Sequence, residues 1–122
     1  MNSIVIFFEK ESHLKSWSSL VNQYITEDGR FVIETSNGWL SIYQPNDIWR
    51  DYDEDELLVV KSLILEPIPY LIEWRDNSLL QEFIDNFPTD SHAVIDNDHG
   101  LICKISDIKD TPISRWLDAK QL

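Results

Sequence analysis

The pattern of apolar and polar positions along this 122-residue chain changes period several times, and each change predicts an element. Ile4 to Phe8 is an unbroken apolar run of β-branched and aromatic residues, the pattern of a strand buried on both faces. From Ser12 to Tyr24 the spacing becomes helical, with Leu14, Trp17, Val21 and Tyr24 recurring at three- and four-residue steps and Leu20 beside them. Glu27-Asp28-Gly29 ends that helix in a turn. Phe31 to Thr35 and Trp39 to Gln44 flank Ser36-Asn37-Gly38, whose Asn-Gly pair tolerates positive φ and predicts a β-hairpin.

Pro45 to Glu56 is polar and acidic, and Leu57 to Leu65 is then apolar at nearly every position. Period alone does not separate a buried strand from a helix there. A helix is expected, because the carboxylates ahead of it complement the positive end of a helix dipole. Pro67 and Pro69 bracket a loop, and Tyr70 to Trp74 reads as a strand. Leu79, Leu80, Phe83, Ile84 and Phe87 predict a second clear helix, stopped by Pro88. His92 to Asp96 and Leu101 to Ile105 form a second hairpin around Asn97-Asp98-His99-Gly100. Thr111-Pro112 reads as an N-cap followed by proline at the first helical position, with a short closing helix over Ile113 to Ala119. The order β-α-ββ-α-β-α-ββ-α predicts a single α+β domain over residues 1–122. Its mostly antiparallel sheet, with two hairpins, packs against three to four helices. Trp17 and Trp74 fall in the core by pattern, whereas the pattern does not place Trp39, Trp49 and Trp116.

Composition adds that the chain folds, since 43% hydrophobic and 11% aromatic residues exclude a disordered acidic tail. Charge changes the picture more. Twenty-two carboxylates against ten Lys and Arg give a net charge of −12. Lys and Arg form no cluster, so phosphate-backbone binding is excluded and an anionic membrane surface is disfavoured. The acidity then serves either solubility or the attraction of a basic partner. Cys103 is the single cysteine, which excludes an internal disulfide. The apolar stretch Met1 to Phe8 is short, has no basic leader and runs at once into Glu9 and Glu11, unlike a signal peptide. No apolar run approaches the roughly 20 residues of a membrane span, so a cytoplasmic location is expected.

Catalytic chemistry finds little purchase. Cys103 lies in the apolar pattern Leu101-Ile102-Cys103, where cysteine acts as a small hydrophobe, and His13 and His92 stand without companions that suggest a triad. With three glycines and no G-x-S-x-G, phosphate-cradling loop or H-E-x-x-H, the chain is read as a non-enzyme. Asp51, Asp53 and Asp55 alternate like the start of a calcium loop. Glu56 stands where the turn needs Gly, however, and Ser62 where the bidentate Glu belongs. Asp96, Asp98 and His99 could ligate a metal, but Asp-Asn-Asp-His-Gly is equally turn chemistry, and neither metal nor cofactor is expected. The acidic run is different. Asp47, Asp51, Asp53, Glu54, Asp55 and Glu56 repel one another within ten residues that also hold Trp49 and Tyr52. Aromatic anchors ringed by charge are what protein interfaces use. These eight residues are the first partner-binding candidates, with Asp96, Asp98 and His99 secondary.

Three stretches carry a resemblance: Tyr70-Leu71-Ile72-Glu73-Trp74, the helix to Phe87-Pro88, and Ala93 to Ile102 with its Ile95-Asp96-Asn97-Asp98-His99-Gly100-Leu101-Ile102 core. Together they resemble small bacterial immunity proteins encoded beside polymorphic toxins, including those of contact-dependent growth inhibition, over about the C-terminal half. The resemblance implies a cytoplasmic, non-enzymatic antitoxin that binds one cognate toxin domain, often a nuclease. A nuclease cleft is basic because it holds phosphates, and carboxylates can occupy it. Cognate specificity needs surfaces that differ among relatives, which favours the acidic segment over the motif loop as interface. The chain is expected to be monomeric before complex formation. Two alternatives stand beside this: an acidic adaptor or nucleic-acid mimic that inhibits a basic DNA- or RNA-binding protein, and a small hydrolase or metal protein using Asp96, Asp98 and His99.

Overall fold

The computed structural model describes residues 2–9, 24–25, 30–36, 38–44, 47–85, 87 and 92–119. Its strands are β1 (Asn2–Phe8), β2 (Tyr24–Ile25), β3 (Phe31–Thr35), β4 (Gly38–Tyr43), β5 (Ile68–Trp74), β6 (Ala93–Asp96) and β7 (Ile102–Lys104). The helices are α1 (Glu54–Leu63), α2 (Asn77–Asp85) and α3 (Ile113–Trp116), with 3-10 turns at Ile48–Asp51 and Ile105–Asp107. The strands form one sheet in the order β2-β3-β4-β5-β1-β6-β7, every neighbouring pair antiparallel. This is the α+β architecture expected from the sequence.

The unbroken apolar run of β1 follows from its place inside the sheet, between β5 and β6, with a core on each face. Ile4, Ile6 and Phe8 join Leu40, Ile42, Tyr70, Ile72, Trp74 and Ile95 on one face, where Leu80, Phe83 and Ile84 of α2 and Trp116 of α3 cover them. Val5 and Phe7 point the other way, toward Val94 and Ile102 of the sheet, Val60 at the inner side of α1 and Ile64 just past its end. A side-chain period of two then places apolar residues at every position. No helix among the described residues is long and apolar enough to cross a membrane.

Several boundaries differ from the expectation. The predicted helix over Ser12 to Tyr24 lies outside the described residues except for Tyr24, which belongs to a strand: Tyr24 and Ile25 pair with Val32 and Phe31. The predicted turn at Glu27 to Gly29, Asn37 of the first hairpin and Pro88 also fall outside. Pro69 belongs to β5 and not to a loop. It pairs with Phe7 of β1 beyond the point where β4 pairing ends at Tyr43 and Leu71, so its missing N–H interrupts no second ladder. Ile105 leaves the second hairpin to enter a 3-10 turn. Thr111 does not cap α3. Pro112 stands at the N-cap position, and Gln81 of α2 accepts a hydrogen bond from Ile113 N (2.7 Å) while donating to Thr111 O (3.0 Å). A side chain 32 residues away thus satisfies a helix-start donor normally served locally. Gly38 opens β4 where a Cβ would stand 2.9 Å from the Cβ of Asp76, so glycine is required by that close approach.

Candidate functional site

The acidic segment folds in three parts. Ile48 is buried and anchors the 3-10 turn Ile48–Asp51 under the sheet face that carries Phe7. Trp49 packs on Phe7 with centroids 5.5 Å apart and the rings tilted by 31°, and Tyr52 meets both rings edge-on at 5.6 and 5.9 Å. Trp49 keeps 36% of its surface exposed. Asp47 and Arg50 approach to 3.8 Å, but both are exposed and such a pair contributes little. Asp53 then opens α1. Its Oδ1 accepts from Glu56 N (2.8 Å), and Glu56 Oε1 accepts from Asp53 N (3.2 Å), a reciprocal capping box. Helix α1 therefore begins at Glu54, three residues ahead of the apolar run that predicted it, and ends at Leu63. Glu54 and Asp55 complete an acidic first turn and stay exposed.

The turn after β6 supplies the other side. Asp96 pairs with Val5 in register, so its side chain shares the α1 face of the sheet, where it is only 7% exposed. It accepts from Tyr52 Oη (2.6 Å) and from Asp98 N (2.9 Å). Burial first, and then the hydrogen bond to Asp96, pushes the Tyr52 phenol well above its ordinary value, so it stays a donor throughout the neutral range. Asn97 is 1% exposed and uses all four of its hydrogen-bonding capacities. Oδ1 accepts from His99 N (2.8 Å) and Leu101 N (3.0 Å), while Nδ2 donates to Trp116 O and Ala119 O, both 2.7 Å. Asp98 and Gly100 take positive φ (64° and 106°), as a tight turn demands. Among the described residues the His99 ring meets Asp118, at 3.5 Å between exposed side chains.

Between these parts lies an open cleft of about 330 Å³. Asp47, Asp51, Glu56, Asp96 and Asp98 border it with Tyr52, over a floor that includes Val5 and Leu71 of the sheet. Six sequence candidates from two distant segments are thereby brought together, linked by a Tyr52–Asp96 bond that spans 44 residues. Trp49, Asp53, Glu54, Asp55 and His99 do not border it. Tyr52 is a tethered wall and not a free anchor, and Asp53 is engaged as a cap. Among the described residues no three His, Cys, Asp or Glu side chains converge to hold a metal ion. The carboxylates are arranged as a diffuse negative lining, suited to cationic side chains approaching from outside. Cys103 packs half-buried against the main core, and burial with Asp107 nearby pushes its thiol up to about 11, far from an activated nucleophile.

Comparison with protein-family models, curated proteins and solved structures gives no match. The site therefore stands on its own geometry.

Two features of this surface carry no local signal in the sequence. One is the Tyr52–Asp96 tether, which depends on β1 lying beside β6. The other is the set of exposed apolar side chains Leu58, Val59 and Leu65, because four apolar residues in a row at Leu57–Val60 do not say which of them face water. Tyr52→Phe tests the tether. Removing one donor to a buried carboxylate should destabilise the fold by about 1–3 kcal/mol at neutral pH in urea unfolding. That difference shrinks in alkali. Above about pH 10 the unfolded chain ionises Tyr52 while the folded protein holds it protonated, so wild type loses stability through this group as pH rises and Tyr52→Phe lacks that share of the loss. The gap between the two should narrow, and a gap that stayed constant to pH 11.5 would discount the tether.

Proposed function

We propose that this protein is an immunity protein that binds a cognate basic toxin domain, a nuclease, and blocks it in the cytoplasm of the producing cell. The observation that supports this reading best is the cleft where the acidic segment and the Asp96–Asp98 turn meet, on a chain of net charge −12. A nuclease cleft holds phosphates with Lys and Arg. A surface of carboxylates placed at the phosphate positions competes for those cations, and its field raises the encounter rate. The protein acts before complex formation as a monomer, since apposing two such surfaces is repulsive. The resemblance of the C-terminal half to immunity proteins points the same way. The part of that half with the clearest structural work is Asn97, which holds the turn and α3 together. Specificity then rests with the acidic segment.

The test is co-expression with the C-terminal domain of the toxin encoded beside this gene, followed by association kinetics on the purified pair. Asp51→Lys, Glu54→Lys and Asp55→Lys together leave the Asp53–Glu56 capping box intact, so helix α1 keeps its start. This triple variant should associate at least about tenfold more slowly at low salt, with the difference shrinking as salt rises. Unchanged association at low salt would remove the segment from the interface. Tight binding to several unrelated basic proteins would instead favour an acidic adaptor or nucleic-acid mimic.

A further inference from the structure

Among the described residues Asp96 is the one buried carboxylate, at 7% exposure. Aspartate is almost never buried without a cation beside it, because water no longer solvates its charge. Asp96 has none. No Lys, Arg or His among the described residues pairs with it: Arg30 is held by Glu73, Arg50 by Asp47 and His99 by Asp118. Its partners are two neutral donors, Tyr52 Oη on Oδ2 (2.6 Å) and Asp98 N on Oδ1 (2.9 Å). A carboxylate offers about four lone-pair sites, so each oxygen keeps room for a further donor. The side chain lies on the sheet face of its register partner Val5, and both border the cleft of about 330 Å³. That cleft has an apolar floor in Val5 and Leu71 and a rim in Asp51, Glu56 and Asp98.

We infer that this cleft is a socket for one arginine side chain of the toxin domain, with its guanidinium seated on Asp96 and its methylene stem along Val5 and Leu71. The inference rests on the proposed function above and adds the anchor to it. A buried anion without a cation calls for one from outside. Both Asp96 oxygens have a lone pair to give, which suits the planar fork of a guanidinium, whereas an ammonium acts as a point charge. The apolar floor suits a side chain that carries its charge on a hydrocarbon stem. At about 330 Å³ the cleft stands at the lower end of ligand-pocket volumes and takes a side chain, not a helix or strand. A metal ion fits less well, because among the described residues no three ligands converge. Folding has already desolvated Asp96 and fixed it through Tyr52, so binding leaves only the guanidinium to be desolvated and oriented. The exposed rim carboxylates then steer, and Asp96 holds.

Two variants test the socket. Asp96→Asn removes the charge and keeps an oxygen for Tyr52. Ser3→Arg fills the cleft from the chain itself. Ser3 borders it two residues before Val5, so it is a diagonal neighbour of Asp96 at about 7–8 Å, within reach of an arginine. Glu73, directly opposite Ser3, is already held by Arg30 at 3.5 Å. Thermal unfolding checks that each variant folds, and Ser3→Arg carries the test if Asp96→Asn does not. Against the toxin domain, Asp96→Asn should lose at least about thirtyfold in affinity, mostly through faster dissociation, and Ser3→Arg should lose as much. A folded Ser3→Arg that binds within about twofold of wild type overturns the socket and leaves the function standing. The protein alone gives a second readout. Arginine amide, titrated at about millimolar concentrations, should shift the nuclear magnetic resonance signals of the Asp96, Asn97 and Asp98 amides more than lysine amide does, and Ser3→Arg should abolish the shift. Equal shifts with the two amides, or shifts that persist in Ser3→Arg, overturn the assignment of arginine to this cleft. A wild type that does not bind the toxin domain overturns both the function and the inference.

Discussion

Asn97→Ala is expected to lower the folding free energy by about 3–4 kcal/mol. Its amide bridges the turn after β6 to Trp116 at the end of α3 and to Ala119 beyond it, through two donated and two accepted bonds, within a site only 1% exposed. Truncation leaves the carbonyls of Trp116 and Ala119 and the N–H groups of His99 and Leu101 to find other partners. Each such group left unpaired in a buried place costs about 1–3 kcal/mol, and water can serve some of them at the edge. Against a total of about 5–15 kcal/mol for a domain of this kind, the loss is large. Urea and thermal unfolding monitored by tryptophan fluorescence read it directly, with a Tm fall of about 10 °C or more. A loss under about 1 kcal/mol would mean that solvent replaces these bonds freely, and Asn97 would then be only a turn residue. Alanine at Asn97 should also loosen Asp96 and Asp98, which border the cleft on either side of it. Toxin binding should therefore weaken together with stability.

Trp116→Ala is the second large expected effect, about 3–5 kcal/mol. Trp116 is fully buried under the sheet face that carries Ile4, Ile6 and Phe8, although α3 is a helix of only four residues. So short a helix has little stability of its own and is held by this ring, by Gln81 at its start and by Asn97 at its end. The indole Nε1 is buried without a hydrogen-bond partner among the described residues. Phenylalanine removes that donor while keeping an aromatic ring, so Trp116→Phe should cost much less than Trp116→Ala, about 1–2 kcal/mol. A Trp116→Phe loss as large as that of Trp116→Ala would show that the indole nitrogen makes a bond that phenylalanine forfeits.

What could be read from the sequence follows period and local chemistry. β1, the β3–β4 hairpin and α2 were legible because apolar residues at Ile4–Phe8, Phe31–Thr35 and Leu79–Ile84 repeat with the spacing of their element. The turn at Asn97–Gly100 was legible because Asp, Asn and Gly favour its dihedrals through their own side chains. The start of α1 was misplaced although its signal was present. Asp53 and Glu56 form an Asp-x-x-Glu capping pair that marks a helix beginning at Glu54, a signal that lies inside the acidic run and ahead of the apolar one. Trp116 and the cap of α3 were beyond local reading, since a four-residue helix shows no period and its N-terminal donor is met by a residue of another helix.

The candidate site divides along the same line. Composition and local pattern alone determined that the chain is acidic, that its carboxylates crowd into Asp47–Glu56 beside Trp49 and Tyr52, and that Asp96–Gly100 is a turn. Those are properties of residue type and short spacing, which the unfolded chain already carries. Only the tertiary structure decided that the two segments share one cleft, because that depends on β1 pairing with β6 and on Tyr52 reaching Asp96 across 44 residues. It also decided which carboxylates are engaged, Asp53 and Glu56 in a cap and Asp96 against a phenol, and which leucines of α1 face outward. Long-range pairing and the direction in which the Leu57–Val60 run faces follow from how elements pack against each other, and no local spacing encodes them.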